Sequence, residues 1–225
     1  MTTDIQLKIE NLTKHYPLVK GLFRKQVGSV QAIDDVDLTI QVGETLGLVG
    51  ESGCGKTTMG RIVTRLLNPT DGQILFRAQD ELTDITHVSQ KDMKSIRRHM
   101  GMVFQDPYSS LNPRMNVRDI ISEPLILHNA ASGKELKQRV GELLEMVGLK
   151  PDHQNRFPHA FSGGQRQRIA IARALALGPK FIVADEPVSA LDVSVQAQVL
   201  NLLQGIKDDL GLTFIFFSHD LSVVE

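Results

Sequence analysis

Gly50-Glu51-Ser52-Gly53-Cys54-Gly55-Lys56-Thr57-Thr58 fits G-x-x-x-x-G-K-[ST], and the segments on either side of it decide the fold. Thr45 to Val49 is a short apolar strand that runs straight into it. After it, Met59, Ile62, Val63, Leu66 and Leu67 fall at helical spacing. A helix is therefore expected from near Lys56, with Asn68-Pro69 stopping it. The glycines let the backbone fold tightly around an anion with its N–H groups turned inward, and the helix adds the positive end of its dipole. In such a loop Lys56 reaches the β- and γ-phosphates of a nucleotide, and the Thr57 hydroxyl ligates Mg²⁺. A glycine-rich turn matching by chance is the alternative, but it would not need a strand before it and a helix after it.

Working outward, Phe181-Ile182-Val183-Ala184-Asp185-Glu186 is a second strand with two acids at its end. Both carboxylates then sit at the C-terminal edge of a buried strand, where open α/β sheets bind ligands. Asp185 would hold the Mg²⁺ shell, and Glu186 would orient and polarise an attacking water as general base. Alone, the pair would also suit helix-capping acids on a surface turn.

The rest of the chain supplies the layers around these two strands. Ile5 to Glu10 and Ala32 to Ile40 alternate apolar and polar residues and read as half-buried strands. The basic, glycine-containing stretch Pro17 to Ser29 between them reads as a loop. Met100 to Phe104 is another strand. From Asp106 to about Ala160 the character changes, with three prolines and a helix showing Leu136, Val140, Leu143, Leu144 and Val147 on one face. Ser132 with Glu135 forms a candidate capping box there, and Gly148 a C-terminal stop. A helix from about Gln165 to Leu177 follows, then one presenting Val195, Val199, Leu202, Leu203, Ile206 and Leu210, then the strand Thr213 to Phe217. Buried strands alternating with helices predict a mainly parallel, helix-covered sheet of the α/β class.

With 225 residues, 41% hydrophobic and 23% charged, the chain can bury one substantial core. Lys+Arg 25 against Asp+Glu 26 leaves a formal charge of −1, so no basic field favours nucleic acid as a partner. The single cysteine, Cys54, excludes an internal disulfide and fits a reducing compartment. It lies in the phosphate loop, which makes it an alkylation target that nucleotide should protect, without a catalytic role. Met1 to Glu10 holds no signal-peptide core, and no apolar run approaches the ~20 residues that span a bilayer. Membrane association is therefore expected only through other subunits.

Phe161-Ser162-Gly163-Gly164-Gln165 adds a capping box, Ser162 with Gln165, on a helix whose N-terminus could accept a second anion. A plain capped helix would read the same way. This segment resembles the signature motif of ABC transporter ATPases, with Phe161 where Leu is more usual. Three further pieces fall in that family's order: Gln105 after Met100 to Phe104, Ser189-Ala190-Leu191-Asp192 after Glu186, and His219 after Thr213 to Phe217. The resemblance implies a P-loop NTPase of ABC architecture over residues 1–225. It implies a core with an N-terminal antiparallel β subdomain (1–105 and 166–225) and an inserted helical subdomain (106–165). It also implies ATP and Mg²⁺ as cofactors, enclosed between two subunits dimerised head-to-tail. Gly50 to Thr58 of one subunit would face Ser162, Gly163, Gly164 and Gln165 of the other, with Asp192 along the interface. His219 would contact the γ-phosphate, Gln105 would sense metal and nucleophilic water, and Tyr16 would stack on adenine. Residue by residue, a histidine after a strand, an isolated glutamine and a tyrosine at a strand end would carry little of this.

Within the family, Gly43 to Val49, Phe104 to Arg114 and Asp185 to Asp192 look like the oligopeptide/dipeptide importer branch, as does the basic insert around Lys20 to Lys25. That branch implies an ATPase at the inner face of the cell membrane. Its expected partners are a second, identical or related ATPase, two permeases and an external solute-binding protein. Importers of nickel or glutathione belong to the same branch, and a soluble non-transport ABC ATPase is the more distant alternative. The chain ends at Glu225, six residues after His219. Members of the family that it resembles usually continue further, so either a truncated cassette or an unusually short product is expected, with its last strand open to an unpaired edge.

Overall fold

The computed structural model describes residues 4–21, 25–79 and 81–220. Two four-stranded sheets organise it. In the first, β1 (Ile5–Lys20) lies between β2 (Lys25–Gln41) and β4 (Asp71–Arg77), and β5 (Leu82–Asp84) flanks β4, all antiparallel. The second is parallel, in the order β3-β8-β7-β6, from β3 (Thr45–Val49), β8 (Thr213–Ser218), β7 (Phe181–Asp185) and β6 (Met100–Val103).

Strand period explains how the layers close. Successive residues of β7 point to opposite faces. Phe181 and Val183 join Leu7, Ile9, Ile74 and Phe76 in a core between the two sheets and α1 (Lys56–Val63). Phe76 and Phe181 meet edge-on there, ring centroids 5.6 Å apart. Ile182 and Ala184 face the other way, into a second core shared with the helices. These are α4 (Val117–Leu127), α5 (Gly133–Met146), α6 (Gly163–Leu175) and α7 (Val193–Leu210). Two shorter helices, α2 (Gln90–Arg97) and α3 (Pro107–Ser110), complete the order. Residues 106–165 contain helices and short 3₁₀ turns and no strand among the described residues.

Four expectations are corrected. Pro17 to Ser29 is not a loop: β1 and β2 continue as a paired hairpin to Lys20 opposite Lys25, while Leu22, Phe23 and Arg24 lie outside the described residues. Helix α1 ends at Val63, before Asn68-Pro69, because Arg65 takes a left-handed φ of 55° and leaves Leu66 exposed. Ser132 stands at the N-cap of α5 without a side-chain bond, and Gly133, the first residue of the helix, adopts a left-handed φ of 53° that breaks the usual cap geometry. The last strand is not an edge: β8 pairs with β3 on one side and β7 on the other. Gly148, at φ 71°, does close the chain after α5, its N–H donating to the Glu145 carbonyl.

Candidate nucleotide site

Strands β3, β7, β8 and β6 run parallel, so their C-terminal ends share one edge, and the motif residues Lys56, Thr57, Gln105, Asp185, Glu186 and His219 meet there. The loop after β3 turns on Gly53 (φ 85°) and Gly55 (φ 100°), conformations that L side chains rarely adopt. A Cβ on Gly55 would also collide with the Ala32 carbonyl of β2, so glycine is required there twice over. The loop coils round the Lys56 ammonium, which donates to the carbonyls of Gly50 at 2.6 Å and Glu51 at 2.8 Å.

Glu186 is the hub. The Lys56 Nζ lies 3.7 Å from its Oε1, the Gln105 amide donates to its Oε2 at 3.0 Å, and His219 Nδ1 lies 3.2 Å from the same oxygen. Its backbone is held in the left-handed region at φ 46°, with its N–H donating to Phe217 O and its carbonyl accepting from Ser189 N and Oγ. A non-glycine residue there is an uncommon, costly conformation of the kind that clusters at functional sites. No sequence signal announced this geometry, or the role of Ser189 in fixing it.

Asp185 is buried, and its Oδ1 accepts from the Thr57 hydroxyl at 3.2 Å. Burial pushes its pKa above the ordinary carboxylate range, and the neighbouring Glu186 adds to this against the opposing Thr57 bond. A carboxylate made costly by burial, with a hydroxyl oxygen against it, is an oxygen donor pair suited to a hard divalent cation. Thr57 and Asp185 thus fit Mg²⁺, and the glycine cradle with Lys56 fits a polyphosphate. The adjoining cleft, about 470 Å³, is also lined by Phe104, Asp106 and Ser109 of the importer-like stretch and by Arg61 and Arg173, which no motif had singled out. Helical positions Arg61 and Arg173 gave no signal because cations on a helix read as solvent-facing. Arg173 Nη1 instead donates to Ser110 O at 2.8 Å.

Not every expected residue joins this cluster. Ser162 and Gln165 form the reciprocal capping box, Gln165 N donating to Ser162 Oγ at 3.4 Å and Ser162 N to Gln165 Oε1 at 3.1 Å. Gly163 abuts Leu191 and Tyr108, and Gly164 packs on Val195. Asp192 is exposed at the start of α7 and makes no side-chain cap bond. Tyr16 is exposed on β1, with the Lys14 ammonium 5.1 Å from its ring centroid. Cys54 is exposed, 3.8 Å from Lys56 Nζ. Among the described residues no helix is long and apolar enough to cross a membrane.

A glycine cradle, a buried acid at the end of β7 and a carboxylate hub on one parallel-sheet edge define a phosphate-loop nucleotide-binding domain. The family model described as ABC transporter matches residues 33–189. The chain belongs to the ABC transporter family. It is 54% identical over 219 residues to the oligopeptide transport ATP-binding protein AppF of Bacillus subtilis, covering 97% of this chain and 65% of that protein. It is 49% identical to the dipeptide transport ATP-binding protein DppF of Escherichia coli, covering 97% of this chain and 64% of that one. The chain thus spans about two thirds of the length of these relatives. A solved dimeric ATP-binding cassette, in a post-hydrolysis state with ADP and Pi, superposes with a TM-score of 0.83 at 33% identity, covering 97% of this chain and 90% of that one.

Proposed function

We propose that the chain binds Mg·ATP and hydrolyses it to drive an ABC importer of oligopeptides or dipeptides. The convergence on Glu186 carries this: an ammonium, an amide and an imidazole all lie within 3.7 Å of its carboxylate oxygens. These neighbours hold the carboxylate at the sheet edge where an attacking water would be activated. Lys56 and the loop amides hold the phosphates, Thr57 and Asp185 hold the metal, and the metal supplies charge neutralisation at the transferring phosphate. Gln105 and His219 fix the direction in which Glu186 points. Residues 106–165 serve as the inserted helical subdomain, with 108–115 as the surface that meets the permeases.

The displaced signature segment is what a shared site requires. The hydrogen bonds of Ser162 and Gln165 stay within their own capping box, so this capped helix N-terminus is available to complete the site of a second subunit packed head-to-tail. Exposed Asp192 then lies along that junction, and exposed Tyr16 stacks on adenine. The second subunit is a further copy or a related ATPase. Two permeases and an external solute-binding protein complete the system, which places this chain at the inner face of the cell membrane.

Glu186→Gln tests the chemistry. It keeps the hydrogen bonds but removes the base, so ATP turnover should nearly vanish while ATP binding persists and an ATP-bound dimer accumulates. Turnover close to wild type would overturn the assignment. Capture of the tagged chain from native membranes tests the transport reading: two permeases should co-purify, and exclusively soluble partners would sink it.

A further inference from the structure

The β1–β2 hairpin outruns the sheet that it belongs to. Strand β4 pairs with β1 only as far as Thr13 opposite Asp71, whereas β1 and β2 stay paired to Lys20 opposite Lys25. Past Thr13 it is a two-stranded ribbon, which is marginal in water without something to pack on. Its distal part shows apolar side chains to solvent, Leu18 at 49%, Val19 at 56% and Val27 at 60% exposure. Gly28, opposite Leu18, leaves that leucine without a cross-strand side chain to cover it.

Its charge is equally one-sided. Between Glu10 and Asp34 the sequence holds Lys14, Lys20, Arg24 and Lys25 and no Asp or Glu, in a chain of formal charge −1. Lys14 is spent on the Asn68 carbonyl at 2.7 Å. Lys20 and Lys25 are direct register partners at the distal end of the ribbon. Like charges directly opposite on a hairpin destabilise it. An anionic surface beyond the tip turns that repulsion into a shared attraction.

We propose that this arm is a membrane-surface anchor that binds anionic lipid headgroups. Leu18, Val19 and Val27 enter the headgroup–acyl boundary while Lys20 and Lys25 reach lipid phosphates, the division of labour of interfacial segments. Apolar residues and cations at the same tip, with no carboxylate among them, favour lipid over a protein groove, where mixed charges would give specificity. The nucleotide site does not enter this inference, since Tyr16 and the phosphate loop lie proximal to the tip.

Flotation of the 225-residue chain with mixed phosphatidylcholine–phosphatidylglycerol vesicles, against phosphatidylcholine alone, tests it. The chain should float with the anionic vesicles only, and should be released as salt rises from about 0.05 to about 0.5 M. Lys20→Gln and Lys25→Gln should each weaken partitioning about fivefold, and together about thirtyfold. Val19→Ser with Val27→Ser should weaken it with the charges intact. Unchanged nucleotide binding and melting temperature in these variants would show that the fold is kept. Equal flotation with neutral vesicles, or indifference to both variants, overturns the proposal. So does failure to float while the arm crosslinks to a permease in native membranes.

Discussion

Replacing Gly164 by Ala should damage the protein through one neighbour, and removing that neighbour should repair it. Gly164 is buried near the start of α6, and a Cβ there would meet only Val195 of α7, its Cγ1 far inside the 3.0 Å at which something must shift and its Cβ at 3.8 Å. No positive φ is involved, so backbone strain plays no part. Overpacking of this kind costs about 1–3 kcal/mol. For a domain of this size that lowers the melting temperature by about 2–4 °C per kcal/mol. Val195→Ala alone should cost about 1 kcal/mol in lost packing. In that background Gly164→Ala should cost almost nothing, a coupling of about 1–3 kcal/mol in a double-mutant cycle. Urea and thermal melts of the four proteins measure it. Equal costs of Gly164→Ala in both backgrounds would refute the packing explanation. ATP turnover separates the remaining possibility: stability restored without turnover would place the glycine requirement at the nucleotide instead.

Lys56→Ala removes the ammonium that the loop encloses, and nucleotide affinity should fall on the order of ten- to a hundredfold, measured by calorimetry. Unchanged affinity would contradict its phosphate role. His99, His128 and His153 are all held below the ordinary histidine range, each chiefly by burial and then by neighbouring cations. With folded-state pKa values below the unfolded 6.5, their neutral forms favour the fold, and stability should fall as pH drops through 6.5 towards the depressed values. Melting temperatures from pH 7.5 to about 5.5 should therefore decline, and His153→Gln should flatten the decline. A profile rising towards acid would reverse the argument.

What the sequence disclosed was whatever a short backbone stretch imposes on its own residues. The phosphate loop needs left-handed glycines at fixed spacing, and the acids at the end of β7 follow a five-residue buried strand, so both were legible locally. The hairpin was not. Pro17, Gly21 and Gly28 look like breakers, but past Thr13 one flank of β1 has no strand neighbour, so a missing N–H is tolerated. The interior place of β8 was hidden for another reason. Its pairing of Thr45 with Phe214 joins distant parts of the chain, and periodicity carries no information about which strands become neighbours. Left-handed Glu186 was hidden too, since its conformation is set by Phe217 and Ser189, which only the folded sheet brings to it.

The same distinction bears on how the two halves of the proposed site communicate. Gln105, bonded to Glu186, is followed by Asp106, whose side chain caps α3 by accepting from Tyr108 N at 2.7 Å. The Tyr108 ring lies 4.2 Å from the Arg166 guanidinium, and Arg166 Nε donates to the carbonyls of Pro158 and Phe161 at 2.8 and 3.1 Å. Phe161 opens the signature segment, and Ser162 comes next in the chain. Every link in this path is short and directional, so a displacement of Gln105 would be transmitted through it with little absorbed. Contiguity alone does not make coupling; an element with two discrete arrangements does. Gln105 is the candidate for that element, because its amide donates to Glu186 and it also lines the adjoining cleft, where a ligand would compete for it. On that account Tyr108 and Arg166 matter only as a pair. Removing either should loosen the signature segment as much as removing both.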